Sequence, residues 1–513
     1  MPIGIQDFES LRRDNYIYVD KTQMVWQLAN TGRYYFLSRP RRFGKSLLVS
    51  TLKAYFLGKR HCFEGLWLGA HEEKWEEYPV FHLDLNGENY NSLEALERKI
   101  DAQLKAWEQL YPTGFEDYSL GIRFSCLIEC AAKKCGRGAV ILIDEYDKPL
   151  LQQIDNVKLQ DEMRDTLKGF FSVLKSQDAY IRFALITGVT RFSKVSIFSD
   201  LNNLNDITLL YDYHNICGFT EQEVLTSFSP YIDRLAERNE MTREECIANL
   251  RKMYDGYHFH QRGDGLYNPF SLIRTFSCNE FGYYWFESGT PSYLIRVLKR
   301  HEYSLNLLQH SEVMAKDIRG VDADARSPIP LILQSGYLTI KGYDSEFQSY
   351  ILDFPNEEVE RGFVDYVAPY YIFGENDSKS SFDIREFVRD VRAGRAEQFC
   401  RRLKALFADT PYELIRDLEN HYQNIVWVLF KLLGFYTQAE YHTSEGRIDL
   451  LVKTADYIYV VEFKLDGTAE EALAQISDRQ YTLPFTVEQQ RIFRIGINFS
   501  RETRNVEKCL AEG

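Results

Sequence analysis

Short apolar runs alternate with amphipathic stretches between residues 34 and 190. Uninterrupted apolar runs are typical of strands buried on both faces of a sheet, and they cover 34–38, 80–85, 139–144 and 181–187. The stretches between them repeat apolar residues at helical spacing over 46–56, 92–110, 124–133 and 159–174. Strands that alternate with helices predict an α/β fold with a parallel sheet.

The pattern becomes helical after residue 217. Thr220 followed by Glu223 forms a capping box, which marks a helix start. Two alternating stretches between 336 and 354 predict a hairpin, so this region is a helical lid with winged-helix character. Beyond it, helices are followed by a strand pair, a helix and a strand, which predicts a small second α/β domain. The predicted domains are a core over 1–217, a lid over 218–355, a linker over 356–383 and the second domain over 384–513.

Composition narrows the functional classes. The 513 residues suit about three domains, and the net charge of −14 disfavours a protein that coats nucleic acid without specificity. A local basic groove stays compatible with that charge. The nine cysteines form no C-x-x-C pair and indicate reduced thiols rather than a zinc site. The chain has no apolar N-terminal segment and no run of about 18 apolar residues, so we expect a cytoplasmic protein that neither is secreted nor spans a membrane.

The strand at 34–38 leads into RPRRFGKSLL, and a helix follows. Gly44, Lys45 and Ser46 form the second half of a phosphate-binding loop, in which amides at a helix N-terminus face the phosphates. Lys45 would reach the β and γ oxygens, and the Ser46 hydroxyl would ligate Mg²⁺. The full pattern has glycine where this chain has Arg39. The candidate loop residues are Arg39, Pro40, Arg41, Arg42, Phe43, Gly44, Lys45 and Ser46.

Acidic and polar residues follow two later strands. Asp144 at a strand end would hold Mg²⁺ through water, and Glu145 would polarise the attacking water. The alternative is that Asp144 or Asp147 only caps the next helix. Thr187 is either a γ-phosphate sensor or a turn residue, and Arg191 follows it as a further candidate for nucleotide binding. Together these residues predict ATP and Mg²⁺ as cofactors.

A second constellation lies near the C-terminus. If 453 pairs with 458 across a short turn, Asp449 lies opposite Glu462, and strand alternation returns Lys464 to the same face. Two facing carboxylates repel one another, and bound Mg²⁺ removes the repulsion. The alternative is an exposed face on which Lys464 bridges two acids. Glu440 is either a further ligand or a solvated edge residue.

Basic residues precede this constellation on a predicted helical region. Such a face either tracks a phosphate backbone or is simply solvated, and residues 381–513 contain 18 Lys and Arg against 21 Asp and Glu. The basic residues are Arg385, Arg389, Arg392, Arg395, Arg401, Arg402 and Lys404.

Several motifs resemble those of a predicted AAA-ATPase-like family of bacteria: YVDKT, FLSRPRRFGKSL, ILIDEYDKPL, ITGVTRFSKVSIFSDLNNLNDIT, YDGYHF, YNPFSL and WFESGTPSYLI. The segments EGRIDLLV, VVEFKLDG and ALAQISDRQY resemble its usual C-terminal partner, a PD-(D/E)XK nuclease-superfamily domain. The resemblance implies a P-loop core, a lid and a restriction-endonuclease-like fold. By analogy, Asp449, Glu462 and Lys464 would be the nuclease triad, supported by Gln475 and Tyr481.

The main hypothesis is therefore an ATP-dependent, Mg²⁺-requiring nuclease, with nucleic acid as partner, DNA ahead of RNA, and homo-oligomers allowed. A second hypothesis is an ATP-driven switch whose nuclease-like domain only docks nucleic acid or protein. A third is an interaction protein that binds nucleotide without turnover, which Glu145 disfavours.

Overall fold

The computed structural model describes residues 1–192, 203–287, 311–318, 327–369, 380–408, 418–434, 438–441, 449–485, 489–500 and 505–513, and the isolated positions 198, 201, 294, 297, 298, 303, 305–308 and 502. The chain divides into two compact units. The first comprises Met1–Arg296 and His310–Val359, and the second comprises Val297–Gln309 and Glu360–Gly513.

The first unit is built on a parallel sheet, as the apolar runs predict. Its strands are β1 (Tyr34–Ser38), β2 (Val80–Asp84), β3 (Ala139–Asp144), β4 (Ile181–Gly188) and β5 (Asn205–Asp206), in the order β2-β3-β4-β1-β5. Each neighbouring pair runs parallel, and β1 and β3 are buried along their whole length. The carboxyl ends of β1, β3 and β4 therefore meet at one edge, where ligands bind in open α/β sheets.

Helices surround this sheet. Their bounds are Phe8–Arg13, Thr22–Thr31, Lys45–Phe56, Trp67–His71, Leu93–Leu110, Leu120–Cys135, Lys148–Gln152 and Val157–Ser176. The four helices that the sequence predicts are all present. The other four were not predicted. Three of them have only five or six residues, too few to display a helical period, and Thr22–Thr31, with ten residues, precedes the region in which the pattern was read.

The rest of the first unit is helical and contains two small sheets. The helices are Glu221–Ser227, Ser229–Arg238, Arg243–Tyr254, Pro269–Cys278, Tyr284–Glu287 and Ile329–Gln334, and the strands are β6 (Phe219–Thr220), β7 (Leu266–Tyr267), β8 (Ser311–Met314), β9 (Thr339–Asp344) and β10 (Ser349–Asp353). The predicted capping box of Thr220 and Glu223 forms, and β9 and β10 form the predicted hairpin, to which β8 adds a third strand. The boundary between core and lid at residue 217 stays a prediction.

The first part of the segment 356–383 is helical, and its assignment as a linker stays a prediction. A helix covers Glu357–Ala368, and its Val359, Phe363 and Val364 are fully buried. This helix escaped prediction because its apolar residues are interrupted by five charged ones. Residues 370–379 of the predicted linker lie outside the described residues.

The second unit has a mixed sheet. Its helices are Ser380–Arg392, Ala396–Ala408, Leu418–Gly434 and Ala469–Asp478, and its strands are β11 (Gln438–Tyr441), β12 (Leu450–Lys453), β13 (Tyr457–Leu465), β14 (Arg491–Ser500) and β15 (Asn505–Glu512), in sequential order. Only β13 and β14 pair in parallel, and helix Ala469–Asp478 connects them. Gly496 permits this packing, because a Cβ there would lie 2.2 Å from the Ala469 carbonyl oxygen.

Cys400 and Cys509 form a disulfide within the second unit, which corrects the expectation that all cysteines are reduced thiols. The two residues are 109 positions apart, and only the packing of helix Ala396–Ala408 against β15 brings their Cα atoms to 5.7 Å. No helix in the described part of the chain has the length and apolarity needed to cross a bilayer.

Candidate nucleotide site and candidate metal centre

The phosphate-binding loop follows β1 and ends at helix Lys45–Phe56. Gly44 is the residue before the helix and has φ of 95°, a left-handed conformation in which a side chain would be strained. Arg42 is also left-handed, with φ of 66°. The turn therefore presents the helix N-terminus, with its unpaired amides, to whatever lies beyond Gly44.

A cavity of about 650 Å³ lies beyond this helix N-terminus. We call it the loop cavity. Six of the predicted nucleotide-binding residues line it, together with the predicted catalytic Glu145: Arg41, Arg42, Phe43, Gly44, Lys45 and Ser46. The Lys45 ammonium donates hydrogen bonds to the carbonyl oxygens of Arg39 and Pro40, at 2.9 and 3.0 Å.

Strand β3 delivers two carboxylates with different surroundings. Asp144 is 2% exposed, and its Oδ1 accepts a hydrogen bond of 2.5 Å from the Thr187 hydroxyl at the end of β4. Glu145 follows in a left-handed conformation with φ of 52°, and its side chain reaches the wall of the loop cavity. A non-glycine residue with positive φ is strained, and such strain is concentrated at functional sites.

The geometry disfavours the alternative in which Asp144 or Asp147 only caps the next helix. Asp147 precedes helix Lys148–Gln152 but makes no capping hydrogen bond to it. Its carboxylate instead accepts from the amides of Val189 and Thr190, at 3.0 and 2.6 Å, and from the Thr190 hydroxyl at 2.7 Å. Burial raises the pKa of Asp147. Asp147 therefore joins β4 to the end of β3.

Five of the residues predicted for the nucleotide site are not among those that line the loop cavity: Arg39, Pro40, Asp144, Thr187 and Arg191. Arg39 and Arg191 line a second cavity of about 900 Å³, and Arg191 forms an ion pair with Asp206. Thr187 is fully buried and bonded to Asp144, so it lies behind the cavity wall rather than on it. The assignment of these five residues to the nucleotide site stays a prediction. Long-range pairing with Asp206 and with β3 decides the positions of Arg191 and Thr187.

The C-terminal constellation forms around β12 and β13. Lys453 pairs with Ile458 and Leu450 with Val461, which is the register that the sequence predicts. Asp449 directly precedes β12, and its Oδ2 accepts a 2.9 Å hydrogen bond from the Phe463 amide. The Lys464 Nζ lies 3.6 Å from Glu462 Oε1. Asp449, Glu462 and Lys464 are thus brought together.

Burial makes this group electrostatically unusual. It raises the pKa of Glu462 to about 7, with the nearby Asp449 carboxylate adding to the rise, and it also raises the pKa of Asp449. One oxygen of Glu462, Oε2, is buried and has no hydrogen-bond partner among the described residues. An unpartnered carboxylate oxygen beside a second carboxylate fits a divalent cation, whose charge would satisfy both.

Two family models and one related protein match this chain. Residues 2–198 match a family model described as predicted AAA-ATPase, and residues 417–509 match one described as PD-(D/E)XK nuclease superfamily. The chain is also 34% identical to a protein of Azotobacter chroococcum mcd 1, described as "Uncharacterized protein in vnfD 5'region", over 527 aligned positions that cover 100% of this chain and 98% of that protein. The chain belongs to the same family as the Azotobacter protein. Its residues 2–198 are a predicted AAA-ATPase domain. It carries a PD-(D/E)XK nuclease-superfamily domain at its C-terminal end.

In this family member, Gln475 links Glu462 to Lys464. Its side-chain amide donates to Glu462 and its carbonyl oxygen accepts from Lys464. Tyr481, the other supporting residue implied by the resemblance, is in the hydrophobic core with Leu473 and Ile476. The side chain of Glu440 lies outside the described residues. Within the described part of the chain, no group of three or more His, Cys, Asp or Glu residues forms a metal-binding cluster.

The predicted basic face is largely neutralised. Asp390 is 1% exposed and accepts hydrogen bonds from Arg395 and Arg402, at 2.8 and 2.6 Å. Arg389 and Arg402 also pair with Glu386. These ion pairs favour the alternative in which the arginines stabilise the helices and do not track a phosphate backbone.

Two residues at the end of β2, and the first residue of helix Lys148–Gln152, were not among the predicted site residues. Asp84, Asn86 and Lys148 all line the loop cavity, and Lys148 donates a 2.5 Å hydrogen bond to Asn86. Lys148 also lies 4.0 Å from the Glu145 carboxylate. The available signal was Asp84 at the end of the run VFHLD, in the same position as Asp144 on β3. The N-terminal segment, including Ile5 and Gln6, closes another side of the cavity and offers no motif.

Proposed function

We propose that this protein binds and hydrolyses ATP with Mg²⁺, and that nucleotide turnover controls a Mg²⁺-dependent nuclease activity of the C-terminal domain on nucleic acid. The observation that carries the proposal is the loop cavity, because its wall combines a helix N-terminus, Lys45, Ser46 and the strained Glu145. Amides and an ammonium group bind phosphate, and a carboxylate nearby serves hydrolysis.

The residues assigned to the nucleotide site have separate tasks in this proposal. Lys45 exchanges its two carbonyl partners for phosphate oxygens, which are stronger acceptors because they are charged. Ser46 and, through water, Asp144 would hold Mg²⁺, which neutralises phosphate charge. Glu145 orients a water and takes its proton, and the Lys148 ammonium lies 4.0 Å from its carboxylate.

In the C-terminal domain, Asp449 and Glu462 would hold the divalent cation, which polarises a phosphodiester. Lys464 donates hydrogen bonds to the phosphate or to the attacking water. Gln475 fixes the side chains of Glu462 and Lys464 relative to each other, because it is hydrogen-bonded to both. The unpartnered Glu462 Oε2 supports this assignment of a metal ligand.

Lys45→Ala tests the nucleotide site. We expect ATP affinity to fall roughly 100-fold, because two charge-assisted hydrogen bonds to phosphate are worth about 3 kcal/mol. Isothermal calorimetry with MgATP measures the change, and Lys53→Ala is the matched control, since Lys53 is exposed on the same helix. Wild-type affinity in a folded Lys45→Ala protein would falsify the assignment.

The nuclease assignment is tested by incubating wild-type protein with linear, circular and single-stranded DNA and with RNA, with and without ATP and Mg²⁺. We expect cleavage of at least one substrate, and none with Asp449→Ala. Asp456→Ala is the control, because Asp456 is an exposed residue of the turn between β12 and β13.

A second candidate function is an ATP-driven switch whose nuclease-like domain only docks a partner. The paired arginines around Asp390 favour it, because they leave little free positive charge for a phosphate backbone. Absence of cleavage across the whole substrate panel, with ATP binding intact, would decide for this function.

A further inference from the structure

Arg39 occupies the position at which the full phosphate-loop pattern has glycine. Its guanidinium is fully buried, and burial lowers its pKa to about 10. A buried cation costs considerable free energy unless several acceptors surround it. Burial of a cation at the start of a phosphate loop therefore needs a specific structural or functional explanation.

The acceptors of the guanidinium are backbone carbonyls. Nη1 donates to Ser38 and Thr208, at 2.9 and 2.8 Å, and Nη2 donates to Tyr213 and His214, at 3.0 and 3.3 Å. The Phe259 ring covers one face, with its centroid 4.0 Å from the guanidinium carbon. The planar fork of arginine thus joins the loop to the segment 208–214, which follows the edge strand β5.

The backbone of Arg39 is fixed at both of its polar groups. Its amide donates to the Gly188 carbonyl at 3.2 Å, and its own carbonyl accepts from the Lys45 ammonium at 2.9 Å. The next carbonyl, that of Pro40, accepts from the same ammonium at 3.0 Å. The orientation of Arg39 therefore determines where the two oxygens that hold Lys45 lie.

We propose that Arg39 is the positioning residue of this phosphate loop: its side chain, anchored on the carbonyls of 208–214, sets the loop backbone that aims Lys45 into the loop cavity. The inference rests on the proposed ATP site. It also predicts that nucleotide binding affects segment 208–214, although no residue of this segment lines the loop cavity.

Arg39→Lys is the direct test. Lysine keeps the charge, but one ammonium group cannot span the two pairs of carbonyls. We expect the Kd for MgATP, measured by calorimetry well below the unfolding temperature, to rise about tenfold or more. Arg33→Lys is the matched control, because Arg33 precedes β1 as Arg39 follows it and is exposed, where it pairs with Asp178. It should bind as wild type does.

A purely structural role predicts a different result. Arg39→Lys would then lower the melting temperature but leave the Kd of the folded protein unchanged, and that outcome overturns the inference. An equal loss of affinity in Arg33→Lys overturns it as well. The wild-type titration separates failure of this inference from failure of the proposed function. If wild-type protein gives no binding heat with ATP, the proposed function is wrong and the inference is wrong with it.

Hydrogen exchange on wild-type protein avoids any folding defect of the variant. We expect MgATP to slow amide exchange in residues 36–48 and also in 205–214, since Arg39 links the two segments. Protection confined to 36–48 would contradict the link.

Discussion

Glu145 retains a left-handed backbone conformation that glycine would adopt at lower cost. A strained residue persists when the surrounding structure holds it in place, and the Tyr146 amide, which donates to the Thr187 carbonyl at 3.1 Å, does so here. The strain directs the carboxylate to the loop cavity and separates it from Asp144, which is buried against Thr187. Two adjacent acids thus receive different tasks.

Glu145→Gln and Glu145→Gly should both slow ATP hydrolysis, by about 10²–10⁴-fold, because each removes the general base. Glu145→Gly should in addition be more stable than Glu145→Gln by about 1 kcal/mol, since glycine relieves the positive φ. Steady-state phosphate release and urea unfolding measure the two effects. Hydrolysis at the wild-type rate in Glu145→Gln would assign Glu145 a structural role only.

The raised pKa of Glu462 predicts a pH dependence of the free energy of unfolding. Its pKa is about 7, compared with 4.5 for an unperturbed glutamate. Between these values the folded protein binds more protons than the unfolded chain, so the free energy of unfolding decreases as pH rises through this range. We expect Glu462→Gln to reduce this decrease in urea titrations with a chelator present. Glu512→Gln, at an exposed glutamate, is the control and should keep the wild-type dependence of unfolding free energy on pH. The same dependence in Glu462→Gln and wild type would show that the pKa of Glu462 is not raised.

Helices Leu93–Leu110 and Leu120–Cys135 are joined by a buried ion cluster. Arg123 binds both oxygens of Glu108, at 2.8 and 2.9 Å, and Asp101 at 2.6 Å. The side chains of Arg123 and Glu108 are 5% and 6% exposed. A buried pair of this kind adds little net stability over apolar residues, but the loss of one partner leaves an uncompensated charge.

Arg123→Met should therefore reduce the free energy of unfolding of this unit by about 3–5 kcal/mol. The double variant Arg123→Met with Glu108→Leu should recover most of that loss, because no buried charge is left unpaired. Lys133→Met, at the exposed pair with Glu129, should change stability by less than about 1 kcal/mol. Denaturant unfolding distinguishes these cases, and a double variant as unstable as Arg123→Met would show that packing, not charge, dominates.

At the scale of the whole molecule, the two candidate sites belong to different compact units. We expect Lys464→Ala to abolish Mg²⁺-dependent cleavage and to leave the rate of ATP hydrolysis within about twofold of wild type, because Lys464 belongs to the second unit and every residue assigned to ATP hydrolysis belongs to the first. Parallel phosphate-release and DNA-cleavage assays on one preparation test this. Loss of both activities would mean that the C-terminal site acts back on the ATPase core.

The sequence by itself determined the elements whose cause is local. Continuous apolar runs predicted four strands of the parallel sheet, and the Gly44–Ser46 motif predicted where a helix N-terminus would face a cavity. The turn after Lys453 fixed the register that brings Asp449, Glu462 and Lys464 together, because strand alternation is a property of neighbouring residues.

Only the tertiary structure decided the positions of side chains and elements whose contacts lie far away in the sequence. Arg39 looked like a phosphate ligand but is anchored on carbonyls 169–175 residues away, and Arg191 pairs with Asp206 on the edge strand. Strands β11 and β15, the Cys400–Cys509 disulfide and the helix at Glu357–Ala368 likewise depend on what packs against them. Local periodicity reports which face of an element is apolar, whereas the free energy that places one element on another comes from contacts that no short window of sequence contains.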